Sequence, residues 1–380
     1  MRTKKISEHI LPSSSIGTGR KIVSISFGPK ESGKKAYLQA GLHADEAPGY
    51  LVAGRLLELL EKADNSGDIL DEIIVVPAAN PIGLSQWNND TVQGRFDNFD
   101  NINFNRQYPD LTEEIAETIT GRLGTEPLEN ITLIRECTAE ILRSMKPEGE
   151  TEFLKHLLLS LSHDADIVLD LHCDHQALVH VYMGTSLWPD GKELSAQIRA
   201  GATLLASNSG GTPFDEANSK LWWELAEKFP NHPIPPACLA ATVELRGSTD
   251  TDRQDTEQDA QNLYYFLQRR GYIAGAAPEL PELLADATPL EGVDYVTTIT
   301  TGILTFLKQV GDFVRKGDPI AELIHPMNKP GAGAKVILSA KTDGILFARC
   351  LDRFARPGKV VAKVAGEKAL KGKGENLLTS

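Results

Sequence analysis

Short apolar runs recur through about residue 275, separated by longer stretches in which apolar positions fall three and four apart. The runs at 35–42, 72–78, 167–171, 178–183 and 238–245 are bounded by Gly, Pro or Asp, and several are rich in β-branched residues, which predicts buried strands. Pro48 opens a helical stretch in which Leu51, Leu56, Leu57 and Leu60 are spaced for one buried face, with Lys62 and Ala63 near its end. Further helices are predicted over 112–122, 130–145 and 151–162, the last with apolar Phe153, Leu154, Leu157, Leu158 and Leu161. Strands alternating with helices predict an α/β fold, a mostly parallel mixed sheet flanked by helices. Ligands of such sheets gather beyond the carboxyl ends of the strands, where this chain keeps its reactive side chains.

From about Glu291 the helical pattern stops and an internal repeat begins. Gly302-Ile303-Leu304 followed by 314–323 is echoed by Gly344-Ile345-Leu346 followed by 355–364. Two copies predict paired β-units closing on each other, a smaller C-terminal all-β sandwich that resembles lipoyl and biotinyl carrier domains. The segment between them, His325-Pro326-Met327-Asn328-Lys329-Pro330, lacks the tight Asp-Lys or Met-Lys-Met hairpin that those carriers modify. Lys329 is therefore expected to stay unmodified, and the β-unit to pack on the larger one and shape its entrance. The expected boundaries are 1–285, 286–368 and a flexible tail at 369–380, with Pro278, Pro281 and Pro289 stiffening the connection.

Composition narrows the classes. The 380 residues are 41% hydrophobic and 24% charged, enough for one sizeable core plus a smaller unit. A formal net charge of −13 repels phosphates and anionic lipid, so neither nucleic acid nor a membrane is an expected partner. An anionic substrate would have to be caught by local positive charge. No apolar run approaches the roughly 20 residues that span a bilayer, and the basic residues of 1–15 are followed by no apolar stretch, so the expected address is the cytoplasm. Cys137, Cys173, Cys238 and Cys350 lack paired spacing, which fits reduced thiols. Homo-oligomerisation is left open.

Four stretches carry chemistry: His43-Ala44-Asp45-Glu46, Asn105-Arg106, Asp170-Leu171-His172 and Val243-Glu244-Leu245. Hydrolytic zinc usually takes three protein ligands, and two histidines with one glutamate is an established set. His43 and Glu46 leave a strand end in a turn before a helix, where positions three apart can converge on one ion; His172 would join them from a separate strand, with Asp170 behind it. Cys173 follows directly and should point to the opposite face. Glu244 ends an apolar strand, so its carboxyl would emerge into a dry cavity with a raised pKa, suited to moving a proton, unless it pairs with Arg246. Arg95 and Arg106 lie in the loop after the 72–78 strand, and each could bind a carboxylate or stabilise an oxyanion.

These motifs resemble the pattern of the succinylglutamate desuccinylase/aspartoacylase family, a branch of the zinc carboxypeptidase-like fold. The resemblance extends over most of 35–250, and the β-rich C-terminal part is similar to that family's second domain. It implies one Zn(2+) per chain on His43, Glu46 and His172, Glu244 as general acid/base, Arg95 as oxyanion stabiliser, and Asn105 with Arg106 binding the substrate carboxylate. The implied activity is zinc-dependent hydrolysis of the amide bond of a small, anionic N-acyl amino acid. The loop between Arg95 and Asn105-Arg106 looks longer than in aspartoacylases, 112–162 looks like an enlargement, and the family's C-terminal-domain tyrosine has no position assignable from sequence. Two rivals remain: a metallocarboxypeptidase acting on short peptides, and a non-catalytic zinc- or ligand-binding protein.

Overall fold

A computed structural model describes residues 2–328, 334–373 and 377–378, so Lys329 lies outside the described residues. Nine strands form the main sheet: β1 (Lys5–Ile10), β2 (Lys21–Phe27), β3 (Lys35–Ala40), β4 (Glu72–Val76), β5 (Ile167–Asp174), β6 (His180–Gly184), β7 (Ala202–Ala206), β8 (Leu239–Gly247) and the two-residue β9 (Thr288–Pro289). Their spatial order is β1-β2-β4-β3-β5-β8-β6-β7-β9. The centre, β4-β3-β5-β8, is parallel, and antiparallel pairs enter at β2/β4 and β8/β6. Because helices cover both faces, the central strands are buried on both sides, β4 as an unbroken apolar run after Glu72, whereas β5 carries Asp170, His172 and Asp174 at alternate positions on one face.

Seven helices provide the cover: α1 (Ala47–Ser66), α2 (Thr112–Ile119), α3 (Pro127–Ser144), α4 (Glu150–Ser162), α5 (Trp188–Gln197), α6 (Phe214–Lys228) and α7 (Arg253–Arg269). On one face Leu56 and Leu60 of α1 and Leu263 and Phe266 of α7 pack on Leu38, Val75 and Leu169. On the other, Ile115 of α2, Ile134 of α3, Leu158 of α4 and Trp222 of α6 pack on Tyr37, Ile74 and Val168. The two sets of strand residues alternate along each strand, as side-chain period two requires. The 112–162 region thus completes one wall of the core.

Two expectations change. Leu51 is 42% exposed, because the buried stripe of α1 runs Val52, Leu56, Leu60. The strand expected at 167–171 continues to Asp174 and takes His172 and Cys173 into the sheet. Sequence periodicity also does not reveal β1, β2 and β7: β1 is a mostly exposed edge strand, β2 pairs antiparallel between β1 and β4, and β7 is a run of only five residues.

After β9 the chain forms two antiparallel sheets, with the strand orders Asp294–Thr297, Val360–Gly366, Gly344–Arg349, Phe313–Val314 and Lys335–Ser339, Pro319–Ile324, Gly302–Phe306, Phe354–Ala355. The repeat copies interlock: Phe313–Val314 pairs with Gly344–Arg349, and Phe354–Ala355 with Gly302–Phe306. Leu304, Leu323, Leu346 and Val364 meet between the sheets. This β-region is joined to the larger unit through the connection between β5 and β6, where Ala177 and Gln176 pair with Ala348 and Arg349. Of the segment expected as a tail, Leu377 is buried and donates its N–H to Ser209 O at 2.8 Å. No helix of the described residues is long and apolar enough to cross a membrane.

Candidate metal centre

His43 lies two residues beyond the end of β3's following glycine turn, and Glu46 is the residue that precedes α1. A Cβ at Gly49 would stand 2.9 Å from Leu171 O, so the first turn of α1 packs directly on β5 beside His172. That contact brings residues distant in sequence together: one ligand atom each from His43, Glu46 and His172 lies within 4.8 Å of the others. All three are buried.

The hydrogen bonds decide which atoms face inward. Asn103 Oδ1 accepts the N–H of Asn105 at 2.9 Å, so it must also accept from His43 Nε2 at 2.7 Å. His43 Nε2 therefore carries the hydrogen. Burial, then the Arg95 guanidinium, hold His43 down to about 4, leaving a neutral ring whose Nδ1 lone pair faces Glu46 Oε1 at 3.1 Å. His172 Nε2 meets the buried Asp170 Oδ2 at 2.8 Å, and its Nδ1 faces Glu46 Oε2 at 2.9 Å. Against burial, which lowers it, the Asp170 and Glu46 carboxylates raise His172 well above the usual range. For Glu46, burial alone would raise the pKa, but His172 and His43 hold it well below the usual range. Two Nδ1 atoms and a carboxylate directed at one another are held best by a cation. Gln39 Nε2 in turn donates to Asp170 Oδ1 at 2.9 Å, and Tyr37 OH to Gln39 Oε1 at 2.8 Å, so the support runs along one face of the sheet from β5 to β3.

Glu244 is brought in by register. It is the Cα partner of His172 in the parallel β5/β8 ladder, so both side chains leave the same face at the same level. Burial, then the Glu46 carboxylate, push Glu244 up to about 8, and its Oε2 has no partner among the described residues. The pairing with Arg246 does not form: Arg246 bonds Asp259 Oδ1 at 3.1 Å and Oδ2 at 2.5 Å. Arg246 has left the strand geometry, with φ 62° at the bulge between Glu244 and Gly247.

Arg95 Nη1 donates to Glu46 Oε1 at 3.2 Å and lies 3.3 Å from His43 Nδ1. Its position depends on Gly94, whose carbonyl accepts the Ala44 N–H at 3.0 Å and where a Cβ would fall 2.2 Å from Asp45 N. Asn105 Oδ1 accepts the Phe214 N–H at 2.8 Å, and the next residues are pinned by Gln107 N to Gly211 O and Tyr108 N to Thr212 O. From below, Lys155 of α4 donates to Arg106 O at 2.7 Å. Arg95, Asn105, Arg106, His43, His172 and Glu244 all line one cleft of about 640 Å³.

Other residues of this cleft escaped sequence reasoning. Tyr295 and Lys363 reach it from the C-terminal β-region. Lys363 Nζ lies 2.5 Å from Asp174 Oδ2 beyond the end of the His172 segment. Asp215 and Glu216 line it from the start of α6. Asn103 might have been read as the partner of a ligand only from its proximity to Asn105-Arg106, and nothing local marks Lys363. Cys173 is buried and its thiol is pushed up, first by burial and then by Glu46, which removes it as a donor at neutral pH. Neither His175 nor His180 lines the cleft.

The family model described as "Succinylglutamate desuccinylase/Aspartoacylase catalytic domain" matches residues 32–268. A Shewanella frigidimarina protein whose solved structure carries that family's name is 25% identical, with 96% of this chain and 98% of that one covered and a TM-score of 0.85. A Shewanella amazonensis protein named for the same family is 26% identical, with 95% and 98% covered and a TM-score of 0.83. The product-bound ectoine utilization protein EutE (DoeB) of Ruegeria pomeroyi shares the fold, with a TM-score of 0.68 at 17% identity and 96% of both chains covered. No functionally curated protein matches the sequence significantly.

Proposed function

Because the chain belongs to the succinylglutamate desuccinylase/aspartoacylase family, we propose that it is a zinc-dependent hydrolase cleaving the amide bond of a small N-acyl amino acid. The observation that carries this reading is the Glu244 carboxyl, whose Oε2 is buried with no partner among the described residues, at the same level of the sheet as His172 of a buried His-Glu-His group. His43, Glu46 and His172 suit zinc, since their inward atoms are two imidazole nitrogens and a carboxylate. Zinc bound there supplies Lewis acidity, making the attacking water more acidic and polarising the acyl carbonyl.

The protein's own groups do the rest. Glu244 Oε2 takes the proton of the attacking water and returns it to the departing nitrogen, which requires a carboxyl that titrates near neutrality. Arg95 donates N–H groups to the carbonyl oxygen as negative charge develops on it. Arg106 and the Asn105 amide hold the substrate carboxylate, and the walls formed by Tyr182, Tyr295 and Leu290 limit access of bulk water. A pure binding protein has no use for an acid/base beside the metal group.

The test is a panel of acetyl-, succinyl- and formyl-amino acids and short peptides, each incubated with zinc-loaded and chelator-treated protein while amine release is followed. Release from N-acyl amino acids that depends on zinc is the expected result. Release from peptides alone would replace the deacylase reading by that of a carboxypeptidase, and no zinc-dependent release would end it.

A further inference from the structure

Helix α6 begins at the cleft and sets two consecutive acids, Asp215 and Glu216, in its first turn. Acids at a helix start favour the macrodipole and are usually solvated. These two are each 5% exposed, and both line the cleft with Ser209. The two lysines of the same helix are paired with other acids, Lys220 with Asp110 at 2.7 Å and Glu224 at 3.3 Å, and Lys228 with Glu113 at 2.8 Å. Glu216 Oε1 accepts the Ser209 N–H at 2.7 Å, but Glu216 Oε2 and Ser209 Oγ are buried with no hydrogen-bond partner among the described residues. Burial, then the Glu216 and Asp170 carboxylates, push Asp215 up to about 7, with the Glu216 backbone N–H and then Arg106 offsetting part of the shift; Glu216 is raised by burial as well, offset first by Ser209 and then by Lys220 and Arg106.

A buried carboxylate oxygen with no donor is costly unless a ligand supplies one. The group that would satisfy Glu216 Oε2, Ser209 Oγ and Asp215 together is a cation with several N–H donors. We propose that Asp215, Glu216 and Ser209 form a subsite for a positively charged group on the substrate, a terminal ammonium or guanidinium, so that the substrates are Nα-acylated basic amino acids. The proposal rests on the deacylase reading and names its substrate class. Arg106 beside the two acids then matches a zwitterion: the α-carboxylate on the arginine, the side-chain cation on the acids, and the acyl carbonyl toward the metal group. The charge pattern makes a neutral or acidic side chain a poor fit, because it would leave Glu216 Oε2 without a donor and add nothing to offset the two carboxyl groups. A second metal ion is not the better occupant, since His43, Glu46 and His172 are the one cluster of three such donors among the described residues.

The experiment compares Nα-acetyl-L-lysine, Nα-acetyl-L-norleucine and Nα-acetyl-L-glutamate on the zinc-loaded full-length protein. The lysine compound, which differs from norleucine by the ammonium alone, should be favoured about 100-fold in kcat/KM. Asp215→Asn and Glu216→Gln should erase most of that preference, read as the lysine-to-norleucine ratio of kcat/KM in each variant. Equal turnover of the lysine and norleucine compounds by the unaltered protein would overturn the proposal, as would variants that lose both activities equally. The unaltered protein alone is decisive if a variant misfolds. Calorimetry with free L-lysine and L-norleucine separates the two readings. Selective lysine binding without hydrolysis of any acyl compound would retain the subsite and remove the deacylase; hydrolysis without charge preference would do the reverse.

Discussion

At the metal end of the cleft both histidines are braced from behind: His43 by Asn103, and His172 by Asp170, which is held in turn by Gln39 and Gln39 by Tyr37. At the α6 end, Asp215, Glu216 and Ser209 face the same cleft, with the Glu216 and Ser209 oxygens unpartnered. The contrast separates two uses of buried polarity. A braced donor has a fixed tautomer and direction, as a metal ligand needs; an unbraced one waits for a ligand to complete it. Glu244 stands between them, in register with His172 yet with Oε2 free, as suits a group that must take up and release a proton.

The sharpest way to break this comparison is to remove a ligand. His172→Ala should abolish zinc retention and lower turnover by about 10⁴-fold or more, measured as metal content after dialysis and as amine release. A variant that keeps its zinc would dissolve the distinction between the two ends. Glu244→Gln should lower kcat by about 10²- to 10⁴-fold while metal content stays stoichiometric; unchanged turnover would remove Glu244 from the chemistry. Asp170→Asn tests the bracing itself. It should weaken zinc affinity by about 10- to 100-fold in a competitive chelator titration, with the His43, Glu46 and His172 side chains all still present.

The smallest effect is on stability. In the metal-free protein, Glu244 titrates at about 8 against an ordinary 4.5, and Asp215 at about 7 against 3.8. Both folded values are raised, so the folded state binds more protons than the unfolded chain between about pH 4 and 8. Stability is then fullest below the unfolded values and declines as pH rises through the folded ones. Denaturant titrations across that range should show the decline, and the Glu244→Gln, Asp215→Asn double variant should flatten it. An equal slope in both proteins would contradict the assigned burial.

Much of the braced end was legible in the chain. His43-x-x-Glu46 and Asp170-Leu171-His172 are local: the residues that cooperate lie two or three apart, where a turn or a strand face sets their relation. Asp170 behind His172 follows from that alone. Asn103 and Gln39 did not announce themselves, because an amide that orients a ring has no spacing rule. The α6 acids were invisible for the opposite reason, since two acids opening a helix look the same solvated or buried. Lys363 and Tyr295 arrive from the C-terminal β-region, and nothing local points them at the cleft.

What the sequence determined by itself was the alternation of strand and helix, the repeated β-unit and the residue types able to hold a metal, all consequences of short-range periodicity and side-chain chemistry. Tertiary structure decided the rest: that Glu244 lies level with His172, that Arg246 turns away to Asp259, that Leu51 faces solvent, and that two acids of α6 end up in a cleft they cannot neutralise. Strand register and burial arise from packing between distant segments, and a residue's immediate neighbours carry no record of either.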